Sequence, residues 1–360
     1  MVNRMVHLLN DAMDHFVPLS VTFELTNRCN EDCKHCYVDL GDVDGQLGTD
    51  EVKRILQELR DAGTFFLTFS GGEIFTRKDI NELIREARRL GFSLRLFTNA
   101  TLMKQEHFDL IAEVGVTAVE ISVYAGDAET HDGITRIPGS HERTLAAIRK
   151  LREMNVHVVL KAPILEDNAS AYASVIDFAR EVGAEYRFDP TLVARYDLDD
   201  QPLCLRMKRA DLLNVCTDPE LGLAIEPGSG STPDPDQSLC ATARRVALIS
   251  ARGRVYPCSQ RFPPAGSLRE HSFAEIWSTS PLLLRLRALS AQDLPHCSTC
   301  SSNSFCGRCS LDALLEDGDF FGASSWACQL AEVRQEAYEK GGVTMRQNLG
   351  QRFGGITDDC

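Results

Sequence analysis

The stretch Cys29-Asn30-Glu31-Asp32-Cys33-Lys34-His35-Cys36 decides how this chain is read. It follows directly on an apolar, β-branched run, Val21–Leu25, so it is a loop leaving the end of a strand. Three thiolates at C-x3-C-x2-C spacing suit three irons of a [4Fe–4S] cube and leave the fourth iron open to an outside ligand. Zinc is the competing metal. Three Cys without a nearby fourth ligand fit its closed tetrahedral sites badly, and His35, wedged between Lys34 and Cys36, could hardly reach the same ion.

Outward from this loop, apolar runs and helix-period stretches alternate from about Leu19 to Asp189. Strands are expected at Val21–Leu25, Phe65–Phe69, Ser93–Thr98, Ala118–Val123, His157–Ala162 and Ala184–Phe188. Helices are expected at Asp50–Ala62, Lys78–Leu90, Lys104–Val114, His141–Met154 and Ser170–Val182. Asp50 and Ser170 are the expected N-caps, and Gly63, Gly91, Gly115 and Gly183 stand just past four of the helices. Six such units make right-handed βαβ crossovers and a parallel sheet, with ligand chemistry at the carboxyl ends of the strands. After Asp189 the rhythm stops. A connector follows with one short helix near Arg209–Cys216, then a turn-rich linker over Pro227–Pro235, and a last helix over about Ser325–Glu339. The Gly-Ser run in that linker is no phosphate loop, because it lacks a Lys before the hydroxyl residue and a strand ahead of it.

The chain has 360 residues, 38 basic against 52 acidic, for a net charge of −14. That balance argues against nucleic acid and anionic membranes as partners, since phosphate binding rests on clustered Lys and Arg. No apolar stretch is long enough to span a bilayer, and the N-terminal residues lack a signal-peptide pattern, so a cytoplasmic protein is expected. In that reducing compartment the 13 cysteines read as metal or catalytic thiolates rather than disulfides. A second group of them runs Cys240-x12-Gly253-x4-Cys258, then Cys297-x2-Cys300-x5-Cys306-x2-Cys309-x18-Cys328. C-x2-C pairs are strong metal signals. Zinc is again the alternative, but seven thiols do not divide into two closed four-thiolate sites.

The first loop, placed behind the first strand, resembles the signature of radical S-adenosylmethionine (radical SAM) enzymes, and the second group resembles their SPASM extension. The resemblance covers about residues 19–330. It implies an α/β fold, a partial (β/α)6 barrel followed by a small Cys-rich SPASM domain. The implied division is an N-terminal segment (1–18), barrel (19–190), connector and linker (191–239), SPASM domain (240–330), and C-terminal helix and tail (331–360). By the family pattern, Cys29, Cys33 and Cys36 hold a [4Fe–4S] cluster whose open iron chelates S-adenosylmethionine. Reductive cleavage then yields a 5′-deoxyadenosyl radical that abstracts hydrogen from substrate. Gly71, Gly72 and Glu73 resemble the motif that holds the cofactor's amino group. Thr98, Asn99 and Ser122 resemble positions lining its ribose and carboxylate, and Arg136 would pair with that carboxylate. Lys161 reads either as a further cleft residue or as a structural ion pair.

Two auxiliary iron–sulfur clusters, of the [4Fe–4S] type, are implied for the C-terminal region. Cys297, Cys300, Cys306 and Cys328 would hold the outer one, and Cys240, Cys258 and Cys309 the inner one. No Cys stands at the family's usual fourth inner position. That leaves an open iron, or ligation by Asp234, Asp236 or a remote thiol such as Cys204 or Cys216. Sulfatase-maturing members carry an Asp immediately after the second inner-cluster Cys, where this chain has Ser259. The resemblance favours a peptide substrate that gains an oxidative crosslink or another modification. Only some twenty residues precede the first strand, so any leader is expected to need a separate binding protein or direct contact with the barrel, and a flavodoxin or ferredoxin is the expected reductant. The alternatives are a small-molecule epimerase or dehydrogenase, with Cys204 or Cys216 as hydrogen donor, and a pure electron carrier.

Overall fold

The computed structural model describes residues 2–40, 43–221, 223 and 238–340. The linker over residues 227–235, the ligand candidates Asp234 and Asp236, Cys360 and the tail lie outside the described residues. The N-terminal half is built on β1 (Ser20–Thr26), β2 (Phe66–Gly71), β3 (Ser93–Thr98), β4 (Ala118–Ser122), β5 (Val158–Pro163) and β6 (Glu185–Asp189). All five neighbouring pairs are parallel, in spatial order β6-β5-β4-β3-β2-β1. The crossovers are the helices Thr49–Asp61, Ile80–Arg89, Gln105–Val114, Ser140–Glu153 and Tyr172–Val182.

Why these residues choose this arrangement is visible in the two faces of the sheet. Val21, Phe23, Leu67, Phe69, Leu94, Leu96, Val119, Ile121, Val158 and Leu160 alternate along the strands and are completely buried. They pack with helix residues at i, i+3, i+4 spacing, such as Val52, Ile55, Leu56 and Leu59. The opposite face is charged instead of apolar. Arg95 and Lys161 flank Glu120 at 2.8 and 3.4 Å, and Glu24 stands beside Ser70. A parallel sheet buried on both sides is ordinarily apolar on both, so this face is built to meet a polar occupant.

Several local expectations are corrected. Gly48, not Asp50, caps the first crossover helix, and Glu51 Oε2 accepts from the Gly48 N–H at 2.9 Å. Asp50 falls in the first turn, where its charge still complements the helix dipole. Ser170 is not a cap, since the preceding turn carries on to Ala171. A short helix, Ala128–Thr135, stands where the sequence suggests only loop, and the Asp127 side chain caps it by accepting from Thr130 N. Residues Val2–Asp14 form another helix. Nor does the sheet end at residue 190. β7 (Val246–Ile249) pairs parallel with β1, and β8 (Arg254–Tyr256) and β9 (Gly266–Ser267) follow antiparallel, giving nine strands in one sheet among the described residues. Among the described residues no helix is long and apolar enough to cross a membrane.

The turn after β2 is the tightest place in the fold. A Cβ on Gly71, whose φ is +123°, would lie 2.2 Å from the Thr26 carbonyl oxygen, and one on Gly72 would lie 2.4 Å from that of Arg28. Gly71→Ala is therefore expected to lower stability by about 2 kcal/mol or more, seen as a reduced denaturant midpoint with unchanged slope. Gly133→Ala, in a helix with open space around it, should be neutral or stabilising by up to about 1 kcal/mol in the same titration.

Candidate functional site

The cysteine loop is suspended between the ends of β1, β2 and β4. Gly72 N and Glu73 N donate to the Thr26 and Arg28 carbonyls at 2.7 and 2.8 Å, which fixes the exit from β1. On the far side Asp32 N and Lys34 N donate to the carbonyls of Thr135 and Ile134, at the end of the short helix. Arg136 closes that helix in the left-handed region, φ 59°, and its guanidinium meets Asp32 at 3.1 Å. Lys34 pairs with Asp167 at 2.7 Å. The loop is thus held from both sides by backbone.

Cys29, Cys33 and Cys36 are half-buried and unbridged. Burial pushes the Cys29 thiol up to about 12, and it also raises Cys33 and Cys36. Cys36 further raises Cys29, Cys36 and Cys29 raise Cys33, and Glu31 and Glu73 add negative charge near Cys29. Such a group stays protonated unless a strongly cationic centre sits among the sulfurs. Among the described residues no three His, Cys, Asp or Glu side chains converge as a single ion requires. Three buried thiols that sense one another's charge are the donor set a [4Fe–4S] cluster takes from protein. His35 is half-buried, edge-on to Tyr124 at 5.0 Å, and held near 4 by desolvation, so it stays neutral. The Tyr124 hydroxyl reaches Cys33 Sγ at 3.8 Å.

Glu73 is completely buried. Its carboxylate accepts from Phe75 N at 2.9 Å, Thr98 Oγ1 at 2.8 Å and Asn99 N at 2.7 Å. Burial lifts it to about 7 despite these donors. Asn99 in turn donates to Asn30 Oδ1 at 3.1 Å and lies 4.0 Å from Cys29 Sγ. Glu73, Thr98 and Asn99 therefore form one connected unit under the cysteine loop, with Glu73 on its inner side. Ser122 ends β4 next to Lys161 in register, and Lys161 is spent on Glu120 and on the Phe97 ring at 3.8 Å. Of the two readings of Lys161, the geometry fits the ion pair.

The C-terminal cysteines fall into two sets. Cys240, Cys258 and Cys309 line one cavity with Arg244, Arg308 and Phe262, and no fourth thiol or carboxylate among the described residues lines it. Arg261, ion-paired with Asp312, lies near both Cys258 and Cys309. Cys306 interacts with Cys297, Cys300 and Cys328, and burial raises it to about 11. Cys204 is exposed on the turn Gln201–Leu205. Cys216 is completely buried in the helix Arg209–Thr217, where it packs as a core residue with a thiol near 11. Neither Cys204 nor Cys216 lines the cavity of the inner set.

A second cavity opens between the exit of β1 and β7–β8. Asn27, Asp39, Tyr196, Asp197, Arg254 and Gln260 line it, and it is predominantly polar. Behind it lies Glu24, completely desolvated, held by Tyr196 Oη at 2.5 Å and by Gln260 Nε2. Sequence reading passes over all three. The available signal is Glu24 itself, the one charged residue in β1.

Because Glu73 satisfies three buried donors, Glu73→Ala should lower folding stability by about 1–3 kcal/mol. Glu73→Gln, which keeps one acceptor, should lose less. Equal stability for wild type and Glu73→Ala in denaturant unfolding would remove Glu73 from the loop's support.

Known proteins resemble this chain in sequence and in fold. The model of the radical SAM superfamily matches residues 23–179, and that of SPASM, an iron–sulfur cluster-binding domain, matches residues 240–302. PqqA peptide cyclase of Rhodopseudomonas palustris is 29% identical, over 90% of this chain and 90% of its own. AdoMet-dependent heme synthase of Methanosarcina barkeri is 27% identical, over 84% of this chain and 94% of its own. The crystal structure of Streptococcus suis SuiB bound to precursor peptide SuiA shares the fold, with a TM-score of 0.71 at 16% identity over 91% of this chain and 79% of that one. The cofactors are accordingly a [4Fe–4S] cluster with S-adenosylmethionine and the auxiliary iron–sulfur clusters of the second domain. The chain belongs to the radical SAM superfamily and is an enzyme of its SPASM branch.

Proposed function

We propose that this enzyme oxidatively modifies a peptide, joining or dehydrogenating its side chains. The observation that carries this is the polar cavity beside the cysteine loop. Its carboxylates, guanidinium and amide groups suit an extended polypeptide, whose backbone must be hydrogen-bonded wherever it is buried. A flat apolar macrocycle would find little there to bury against. The likeness to PqqA peptide cyclase along nearly the whole chain supports the same substrate class.

When bound, the cluster and S-adenosylmethionine supply a radical that abstracts hydrogen from the substrate. The protein's own residues position it. Cys29, Cys33 and Cys36 are the proposed ligands of that cluster. Gly71, Gly72, Glu73, Thr98, Asn99 and Ser122 shape the adjoining strand ends. Arg136 is half-exposed beside Asp32, within the same loop system, and is the proposed partner of the cofactor carboxylate. Cys297, Cys300, Cys306 and Cys328 would hold the outer auxiliary cluster, and Cys240, Cys258 and Cys309 the inner one. A flavodoxin or ferredoxin would supply the reducing electron, and a leader-binding protein would deliver the peptide.

Reconstituted protein is expected to carry about twelve irons in three clusters. Replacing Cys29, Cys33 and Cys36 by Ala together should remove about a third of that iron and all 5′-deoxyadenosine formation. Cys258→Ala and Cys306→Ala should each alter a different auxiliary signal by electron paramagnetic resonance. Deoxyadenosine formation persisting in the triple variant would put the radical centre elsewhere.

The substrate class is tested by anaerobic turnover against a peptide library and against iron-bearing tetrapyrroles. Loss of two hydrogen atoms from a peptide, matched to deoxyadenosine released, is the expected result. Turnover of the tetrapyrrole alone would assign the enzyme to small-molecule chemistry.

A further inference from the structure

Joining two substrate groups releases a proton as well as a hydrogen atom and an electron, so the site needs somewhere to put it. The loop residue Ser259, where sulfatase-maturing enzymes have a carboxylate, is a hydroxyl that Arg261 engages at 3.3 Å. Its neighbour Gln260 reaches across to Glu24 on β1. The Glu24 carboxylate is sealed from solvent, yet both of its partners, Tyr196 and Gln260, line the polar cavity. One hydroxyl, held at 2.5 Å, separates a buried carboxylate from the space a substrate would enter. Tyr196 is itself fixed, its N–H donating to the Tyr37 carbonyl at 2.9 Å and its ring lying 5.3 Å from that of Tyr37.

We propose that Glu24, reached through the Tyr196 hydroxyl, accepts the proton released when a bond forms on the substrate. The inference rests on the peptide-modifying reading above. In the step, a C–H bond and an X–H bond of the substrate break, where X is a side-chain sulfur, oxygen or carbon, and a C–X bond forms. The hydrogen atom of the C–H bond goes to the deoxyadenosyl carbon. The remaining electron goes to an oxidised iron–sulfur cluster of the C-terminal domain. The X–H proton passes to the Tyr196 oxygen as Tyr196 gives its own to Glu24.

The electrostatics suit this role. Burial raises Glu24 to about 7, with the bonds from Tyr196 and Gln260 opposing the rise. An acceptor near neutrality can take the proton and later release it. The groups facing Glu24 are Tyr196 from the connector, Gln260 and Tyr256 from the C-terminal region, and Cys36 from the cysteine loop; Arg261 faces Tyr196. Its two hydrogen-bond partners are neutral, so the carboxylate is not already neutralised by a bonded cation.

The test uses anaerobic holoenzyme with a peptide it modifies, reading product formed per 5′-deoxyadenosine across about pH 5 to 9. Glu24→Gln should lower that ratio at least about tenfold, because the radical is spent without bond formation. Tyr196→Phe removes the hydroxyl through which the proton passes, so it too should lower the ratio, and the acid limb of the product formation that remains should move to higher pH because a donor that holds Glu24 down is gone. This second variant covers a Glu24→Gln protein that fails to load its clusters. An unchanged ratio and an unchanged acid limb overturn the proposal. Infrared spectra of the substrate-free holoenzyme should show a carboxyl band titrating near neutrality and missing in Glu24→Gln. Its absence overturns the proposal while leaving the peptide reading intact. A wild type that titrates in this way but modifies no peptide overturns the peptide reading, and the proposal with it.

Discussion

Two backbone hydrogen bonds, from Gly72 to Thr26 and from Glu73 to Arg28, tie the exit of β2 to the exit of β1. They exist because neither glycine has a side chain, and the space a Cβ needs is already taken by carbonyl oxygen. The rest of the site depends on this contact. It aims the cysteine loop across the strand ends, and it drives Glu73 inward, where its carboxylate gathers Thr98 and Asn99. From Asn99 the support reaches Asn30, back within the loop. A motif read as a cradle for a ligand is thus also the scaffold of the metal loop.

The framework of the fold is legible in the sequence because one-sided burial leaves a strong periodic mark. Runs such as Phe65–Phe69 and Ser93–Thr98 pack one face against amphipathic helices, and no other arrangement of such a pattern buries it. The short helix Ala128–Thr135 escapes notice because His131, Gly133 and Thr135 break the apolar stripe, and the capping Asp127 is the cue left to find it. β7 is hidden for a different reason. Val246–Ile249 reads as a short strand, but nothing local says that its partner is β1, more than two hundred residues earlier.

The candidate site divides along the same line. Cysteine spacing is a local property, so two groups of thiols stand out from the chain alone, while the division of the second into inner and outer sets comes from the family resemblance. Contacts such as Tyr196 to Glu24, or Arg136 to Asp32, join segments far apart in sequence and carry no spacing of their own. Cys216 shows the converse. As a free thiol it invites a chemical role, but its place on the inner face of Arg209–Thr217 makes it an ordinary apolar packing group.

The pairing of β7 with β1 has a bearing on solubility. β1 carries Val21, Phe23 and Leu25, and in the whole chain both of its edges are satisfied, by β2 on one side and β7 on the other. A barrel cut free of the C-terminal region would present one edge of this strand as a row of unpaired amides and carbonyls beside a hydrophobic face. Such an edge templates sheet-to-sheet association between copies. Besides whatever electrons it carries, the cysteine-rich region therefore serves as the guard strand that keeps the barrel from aggregating.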